Sequence, residues 1–281
     1  MQYLNAEQRK IDQKEFRNRS AVETDCTTLI QESTTVMVGG RVVIVYISDV
    51  RDIRVDRIAA VIKRVKCVKD IRTSGLVTTS RIFGFAPRNE LRRHACRAVS
   101  LAHEMPTVHS IIAEGSEAVA NLYLETMPDM YKQHKEQIGK LKREYLLGDS
   151  LFTSGIVNRN NPLRYHFDSG NFDNCCSAML GFKTNIEGGR LCVPELDVKL
   201  EVGHKSLTLF DGQGLLHGVT PIIKKKKNAM RFTVVYYSLR QMWNCEEPTD
   251  ELERGRAMRA KIEMDARNGS VRNKNSFPKG S

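Results

Sequence analysis

The sequence predicts an α+β protein whose core is a barrel or double-sheet jelly roll, with helices packed on it from the N-terminal side. Two observations carry this. Residues 150–245 hold eight short β-rich runs punctuated by Gly, Asn, Pro and Asp, the spacing of an all-β barrel or sandwich. Before residue 150, apolar side chains recur instead at helical spacing. The 281 residues therefore divide into a supporting α/β extension (1–149), a β core (150–245) and a C-terminal helix with a basic tail (246–281).

The first 35 or so residues are polar and mixed in charge. Val42-Val43-Ile44-Val45-Tyr46 is short and β-branched, hence a buried strand. Residues 55–69 alternate apolar and basic groups at helical spacing and predict an amphipathic helix with a solvated basic face. Arg81 to Arg88 reads as a strand that stops at Pro87. Residues 107–146 carry two helices near Pro128, the second running from Tyr131 to Tyr145. In the core, the expected strands are Leu151–Val157, Leu163–Asp168, Ser177–Phe182, Arg190–Val193, Val198–Val202, Ser206–Phe210, Gly214–Val219 and Arg231–Ser238. A helix is expected over 251–266, then a frayed tail.

Hydrophobic residues make up 41% and charged residues 27% of the chain, which excludes wholesale disorder and a fibre. No apolar run approaches the ~20 residues that cross a bilayer, so no membrane partner is expected. The start, Met1-Gln2-Tyr3-Leu4-Asn5, does not read as a secretory signal. Lys plus Arg is 44 and Asp plus Glu is 33, a net charge of +11. That surplus attracts a polyanion. Seven cysteines, an odd number, suggest reduced thiols. Cys96 is expected to be a free thiol beside structural histidines at 94 and 103, and Cys175-Cys176 to be packing residues. Trp243 is expected to cap the barrel. The compartment that fits is a bacterial or phage-infected cytoplasm, or a nucleus.

Chemistry concentrates in the core. In a strand, residues i and i+2 project to one face. His166 and Asp168, two apart in Tyr165-His166-Phe167-Asp168, therefore point into one cavity. His217 follows in Leu215-Leu216-His217-Gly218. Two imidazoles and a carboxylate on one side of a metal form the facial triad of non-haem Fe(II) oxygenases, which leaves adjacent positions for a cosubstrate and O2. Zinc accepts the same ligands. Arg231, 14 residues later on the last expected strand, supplies what a chelating dicarboxylate needs at its far end, a planar fork that meets a carboxylate in two parallel hydrogen bonds. Thr233 faces the same side. The order His-x-Asp, His, Arg-x-Thr points to an iron and 2-oxoglutarate site.

The stretch 150–240 resembles the double-stranded β-helix core of the Fe(II)/2-oxoglutarate dioxygenases. Within them it is most similar to the TET/JBP branch, the thymine and 5-methylcytosine hydroxylases, including their small phage and microbial members. Tyr165 to Asn171, Gly188-Gly189-Arg190-Leu191-Cys192-Val193-Pro194-Glu195-Leu196 and Leu215 to Pro221 carry that narrower resemblance, with Arg81-Ile82-Phe83-Gly84 as a weaker element. It implies iron ligands His166, Asp168 and His217, with Arg231 on the distal carboxylate of 2-oxoglutarate and Thr233 nearby. It implies as substrate the 5-methyl group of a pyrimidine in DNA, in a base flipped out of the duplex. The loop Asn158-Arg159-Asn160-Asn161 is either a substrate contact or a plain turn. Ser169, Asn171 and Asn174 are similar candidates. Lys224, Lys225, Lys226 and Lys227 form either a phosphate-binding turn at the cavity mouth or a solubilising hairpin tip. The competing readings are a 2-oxoglutarate hydroxylase of a peptide or small molecule, and a non-catalytic jelly-roll module that binds nucleic acid.

Overall fold

The β-rich second half of the chain does not build its sheets alone. A computed structural model of the protein describes residues 1–17, 19–71, 77–89 and 94–267. The first half contains β1 (Gln2–Asn5), α1 (Gln13–Phe16), β2 (Thr28–Ile30), β3 (Thr34–Val38), β4 (Arg41–Ile47), α2 (Ile53–Val61), β5 (Val68–Ile71), β6 (Val77–Ala86), β7 (Arg97–Ala98), α3 (Ser100–Glu104), α4 (Pro106–Thr126) and α5 (Pro128–Ile138). The second half contains β8 (Ser154–Arg159), β9 (Ser177–Thr184), β10 (Ile186–Gly188), β11 (Leu191–Val193), β12 (Val198–Leu200), β13 (Ser206–Phe210), β14 (Gly218–Val219), β15 (Ile222–Lys224), β16 (Met230–Tyr237) and α6 (Pro248–Arg267).

The main sheet runs in the order β1-β3-β4-β13-β9-β16-β8-β6-β5, with β7 paired to β6. A smaller sheet, β14-β11-β12-β2, lies opposite, and β10 pairs with β15. This is a double-stranded β-helix with helices on one outer face, an α+β fold. Strand alternation assigns the faces. On β16, Phe232, Val234 and Tyr236 enter a core with Ile58, Ile112 and Tyr123 from the helical layer. Tyr236 also donates its hydroxyl to Ile112 O at 2.8 Å. The intervening Arg231, Thr233, Val235 and Tyr237 line a cavity between the sheets. A second core fills the rest of that space, with Ile44, Met179 and Phe210 packed against Leu191, Val198 and Val219. Among the described residues, no helix is long and apolar enough to cross a membrane.

Local chemistry explains the helix ends. Asp52 accepts from Arg54 N at 2.8 Å and caps α2. Met127, at φ −139° and ψ 58°, leaves the helical region and ends α4, because Pro128 disfavours a helical residue before it.

Several expectations are corrected. The helix expected over 55–69 ends at Val61 and closes with a 3-10 turn to Arg64, and residues 68–71 become a strand paired to β6. Hydrogen bonding to a sheet edge there outweighs the weak helical pattern of a Val- and Cys-rich stretch. The helix expected to reach Tyr145 stops at Ile138, just before Gly139. Leu163–Asp168 is not a strand. His166 makes an isolated bridge to His217, and Pro162 and Gly170 flank a looped segment. Only Gly218–Val219 of the expected 214–219 strand is regular. Strands β10 and β15 were not expected. Cys96 is not a free thiol: it is disulfide-bonded to Cys245, 149 residues away, with Cα atoms 5.8 Å apart. Cys26, Cys67, Cys175, Cys176 and Cys192 are free. The expected frayed tail, 268–281, lies outside the described residues.

One buried group gives the fold a pH signature. His134 on α5 is fully buried among Tyr123, Phe152 and Phe172. Its Nε2 meets Ser238 Oγ at 2.9 Å, and that hydroxyl donates to Leu151 O at 2.6 Å. Ser238 thus accepts from Nε2–H, which leaves a neutral imidazole. Burial pushes its pKa down to about 3. The unfolded chain takes up this proton below about pH 6.5 and the folded chain does not, so stability falls as pH drops from there toward 3. Between pH 6.5 and 5 the loss from this group is about 2 kcal/mol. Denaturant melts of wild type and His134→Gln at the two pH values check this. The variant should lose markedly less stability on acidification, and parallel losses would contradict the assignment.

Candidate metal centre and cosubstrate pocket

Two backbone hydrogen bonds bring the distant segments together. His166 N donates to His217 O at 2.9 Å, and His217 N donates to His166 O at 3.1 Å. The two rings lie with centroids 4.4 Å apart. Asp168 N donates to Gly212 O at 2.8 Å, which turns its carboxylate toward them. Asp168 Oδ1 is 3.6 Å from His166 Nε2 and 3.9 Å from His217 Nε2. One ligand atom from each of the three lies within 4.8 Å of the others, as one small cation requires.

The next layer of contacts fixes both tautomers. Nδ1 of His166 lies 2.7 Å from Arg164 O, and Nδ1 of His217 lies 2.9 Å from Leu215 O. Each Nδ1 therefore carries the proton and each Nε2 presents a lone pair inward. Burial pushes His217 down to about 4, as does the neighbouring His166, so its imidazole is neutral at physiological pH. Burial alone would raise Asp168, but the facing His166 and His217 and the Ser177 hydroxyl hold it below the usual carboxylate range. Ser177 Oγ meets Asp168 Oδ2 at 3.3 Å, and Asn171 Nδ2 donates to Ser177 Oγ at 3.1 Å. Two neutral imidazoles and a carboxylate facing one another suit Fe(II).

The triad opens on a cavity of about 220 Å³. Its far end is set by Arg231, 1% exposed, whose Nε and Nη2 have no partner among the described residues. Burial lowers the guanidinium to about 10, so it stays charged at neutral pH. A buried cation with two unmatched donors is costly unless an anion completes it. The distal carboxylate of 2-oxoglutarate is such an anion. Gly189 makes the room: its φ is +69°, and a Cβ there would stand 2.9 Å from Arg231 Cδ.

Thr233 lines the same cavity, with Asn158 Nδ2 3.5 Å from its hydroxyl. Asn158, Asn161, Ser169 and Asn171 also line it. Asn161 accepts from Thr79 N and donates to Asn158, and Asn160 accepts from Arg231 N at 2.8 Å. The asparagine run thus frames the Arg231 end of the cavity. Arg159 is exposed and points elsewhere, its guanidinium 5.8 Å from the Phe232 ring centroid. Asn174 sits in a left-handed turn and is not part of the lining. Lys224 to Lys227 are exposed and do not line the cavity; Lys225 pairs with Glu187. Trp243 stacks on Phe172 at 4.8 Å and is covered by Lys140, an arrangement that packs the α5 side of the core. Sequence reasoning missed Ser177, Gly212, Tyr237 and Leu239. Continuing the alternation from Thr233 would have found Tyr237; the others need the fold.

A double-stranded β-helix with this triad and this arginine defines the class of Fe(II)/2-oxoglutarate dioxygenases. Residues 83–240 match the Tet_JBP family, the oxygenase domain of the 2OGFeDO superfamily. The chain belongs to that family: it is a dioxygenase that uses Fe(II), 2-oxoglutarate and O2. Among solved structures it is similar to NgTET1 in complex with 5mC DNA, at 14% identity and a TM-score of 0.59, over 85% of this chain and 90% of that one. An oxidoreductase of the 2OG-Fe(II) oxygenase family from Burkholderia pseudomallei matches at 13% identity and a TM-score of 0.44, over 69% and 85%. A prolyl hydroxylase from Trichoplax adhaerens, in complex with a hypoxia inducible factor peptide, matches at 12% and 0.41, over 72% and 86%. No curated protein matches the sequence.

Gly212 offers a test of how Asp168 is held. A Cβ at 212 would fall 2.4 Å from Asp168 Oδ2. Gly212→Ala must therefore move that carboxylate or its loop. We expect Fe(II) affinity to fall by roughly tenfold, as for other outer contacts of metal ligands, with little change in melting temperature. Anaerobic Fe(II) titration checks this, and wild-type affinity in the variant would refute the packing argument.

Proposed function

We propose that this dioxygenase hydroxylates the 5-methyl group of a pyrimidine in DNA, taking 5-methylcytosine to 5-hydroxymethylcytosine or thymine to 5-hydroxymethyluracil. His166, Asp168 and His217 hold the iron, and Arg231 with Thr233 beside it receives the far carboxylate of 2-oxoglutarate. The observation that carries the substrate class is the family match over 83–240; NgTET1, of similar fold, is recorded with 5mC DNA. The net charge of +11 suits a polyanion.

Bound iron, with 2-oxoglutarate and O2, supplies the oxidising power that places a hydroxyl on a C–H bond. The chain's own residues do the rest. The Nδ1 tethers to Arg164 O and Leu215 O keep both imidazoles aimed inward. Arg231 orients the cosubstrate through two parallel hydrogen bonds. Val235, Leu163 and Leu191 line the walls and exclude water. A cavity of about 220 Å³ is too small for a duplex, so the target base leaves the stack, at a cost of a few kcal/mol. Ser169 and Asn171 supply polar groups to read its edge. Lys224, Lys226 and Lys227, all exposed, are the basic groups assigned to phosphates.

The test is direct. Methylated and unmethylated DNA are incubated with enzyme, Fe(II), ascorbate and 2-oxoglutarate, then digested to nucleosides for mass spectrometry. Hydroxymethyl pyrimidine is expected with wild type and not with His166→Ala. Succinate formed on a peptide or small molecule, with no modified nucleoside from either DNA, would overturn the DNA reading in favour of another hydroxylase.

A further inference from the structure

Behind Arg231, outside the cavity lining, stands more charge than one carboxylate needs. Arg231 on β16 and Lys183 on β9 are paired directly across the sheet. Cross-strand partners share a face, so two cations stand side by side, an arrangement that is destabilising unless an anion intervenes. Glu201, just after β12, is that anion. Its Oε1 pairs with Lys183 Nζ, and its Oε2 accepts from Arg190 Nε at 2.9 Å. Arg190 Nη1 donates in turn to Glu23 Oε2 at 2.7 Å. All three charges are largely withdrawn from solvent: Lys183 is 12% exposed, Glu201 17% and Arg190 21%.

Glu201 is near enough for its charge to act on Arg231. Yet Arg231 Nε and Nη2 have no partner among the described residues. In a partly desolvated site, a carboxylate beside an open guanidinium should close on it, since charge-assisted pairs are strongest there. What holds Glu201 in place is the pull of the flanking cations, Lys183 on Oε1 and Arg190 on Oε2. Backbone contacts hold the parts in place. Glu201 N donates to Ile30 O at 2.9 Å, and Arg190 N donates to Thr220 Oγ1 at 3.0 Å.

We propose that Lys183 and Arg190 are positioning residues that hold Glu201 off Arg231, so that the guanidinium stays open for the distal carboxylate of 2-oxoglutarate. The inference rests on Arg231 receiving that carboxylate. It also gives Gly188-Gly189-Arg190 a shared purpose. Gly188 O accepts from Lys183 Nζ at 3.2 Å, Gly189 clears space for the Arg231 stem, and Arg190 occupies Glu201. Without either cation, Glu201 becomes an internal competitor for the cosubstrate's site.

Calorimetric titration of 2-oxoglutarate into the Mn(II)-loaded full chain tests this without turnover. Arg231→Met should weaken binding by about a hundredfold, the loss of a bidentate charged pair. Lys183→Met and Arg190→Met should each weaken it by about tenfold while Mn(II) affinity is unchanged. Adding Glu201→Gln to either variant should restore affinity to within about threefold of wild type, because the competitor is then neutral. A purely structural role for the cations predicts no such rescue, and its absence overturns the proposal. Wild-type affinity in Lys183→Met and Arg190→Met, with Arg231→Met still impaired, overturns the proposal but leaves Arg231 in place. Wild-type affinity in Arg231→Met removes the premise itself. Having two independent cation variants keeps the test open if one fails to fold.

Discussion

Two backbone hydrogen bonds between His166 and His217 are the constraint on which the site depends. They join segments 51 residues apart without forming a strand pair of any length. Everything inward of them follows. The rings meet at 4.4 Å, their Nδ1 atoms are tied to carbonyls two residues back, and Asp168 swings in from the loop beside Gly212. A longer ladder would align strands but would leave no loop to turn a carboxylate onto the same point. The surrounding sheets frame this short bridge, and Asp168 N to Gly212 O and Val219 N to Leu163 O, both at 2.8 Å, tie the same two segments on either side of it.

The cavity has two charged ends with an apolar wall between them. At one end the three ligands carry a formal charge of −1 and suit a divalent cation. At the other, Arg231 is desolvated and unmatched. Each end is unfavourable as it stands, because buried charge needs a partner. A chelating dicarboxylate with a metal satisfies both together. The site thus stores its specificity as unsatisfied charge, and the surrounding network of Lys183, Glu201 and Arg190 keeps that charge from being satisfied internally.

Much of this could be read from the residues, and the failures share a cause. The period-2 alternation of Arg231-Phe232-Thr233-Val234 fixed both the inner and outer faces of the last core strand, and Ser206–Phe210 forms as expected. His166 and Asp168 do face one cavity, though not because they lie in a strand: loop closure by Gly212 and the His217 bridge does that work. Local pattern could not show that β4 and β6, far up the chain, complete the main sheet, nor that β2 completes the smaller one. Cys96 and Cys245, 149 residues apart, meet through the tertiary fold. Non-local pairings are invisible to periodicity, and the contacts of Gly212 with Asp168 and of Asn160 with Arg231 are non-local.

The central claim concerns where iron sits. Crystals soaked anaerobically in Fe(II) and measured at the iron absorption edge would locate it by anomalous scattering. The account predicts one strong peak bounded by Nε2 of His166, Nε2 of His217 and Oδ1 of Asp168, on the side open to Arg231. A fully loaded crystal with its iron elsewhere, or with no peak among those three atoms, would contradict it.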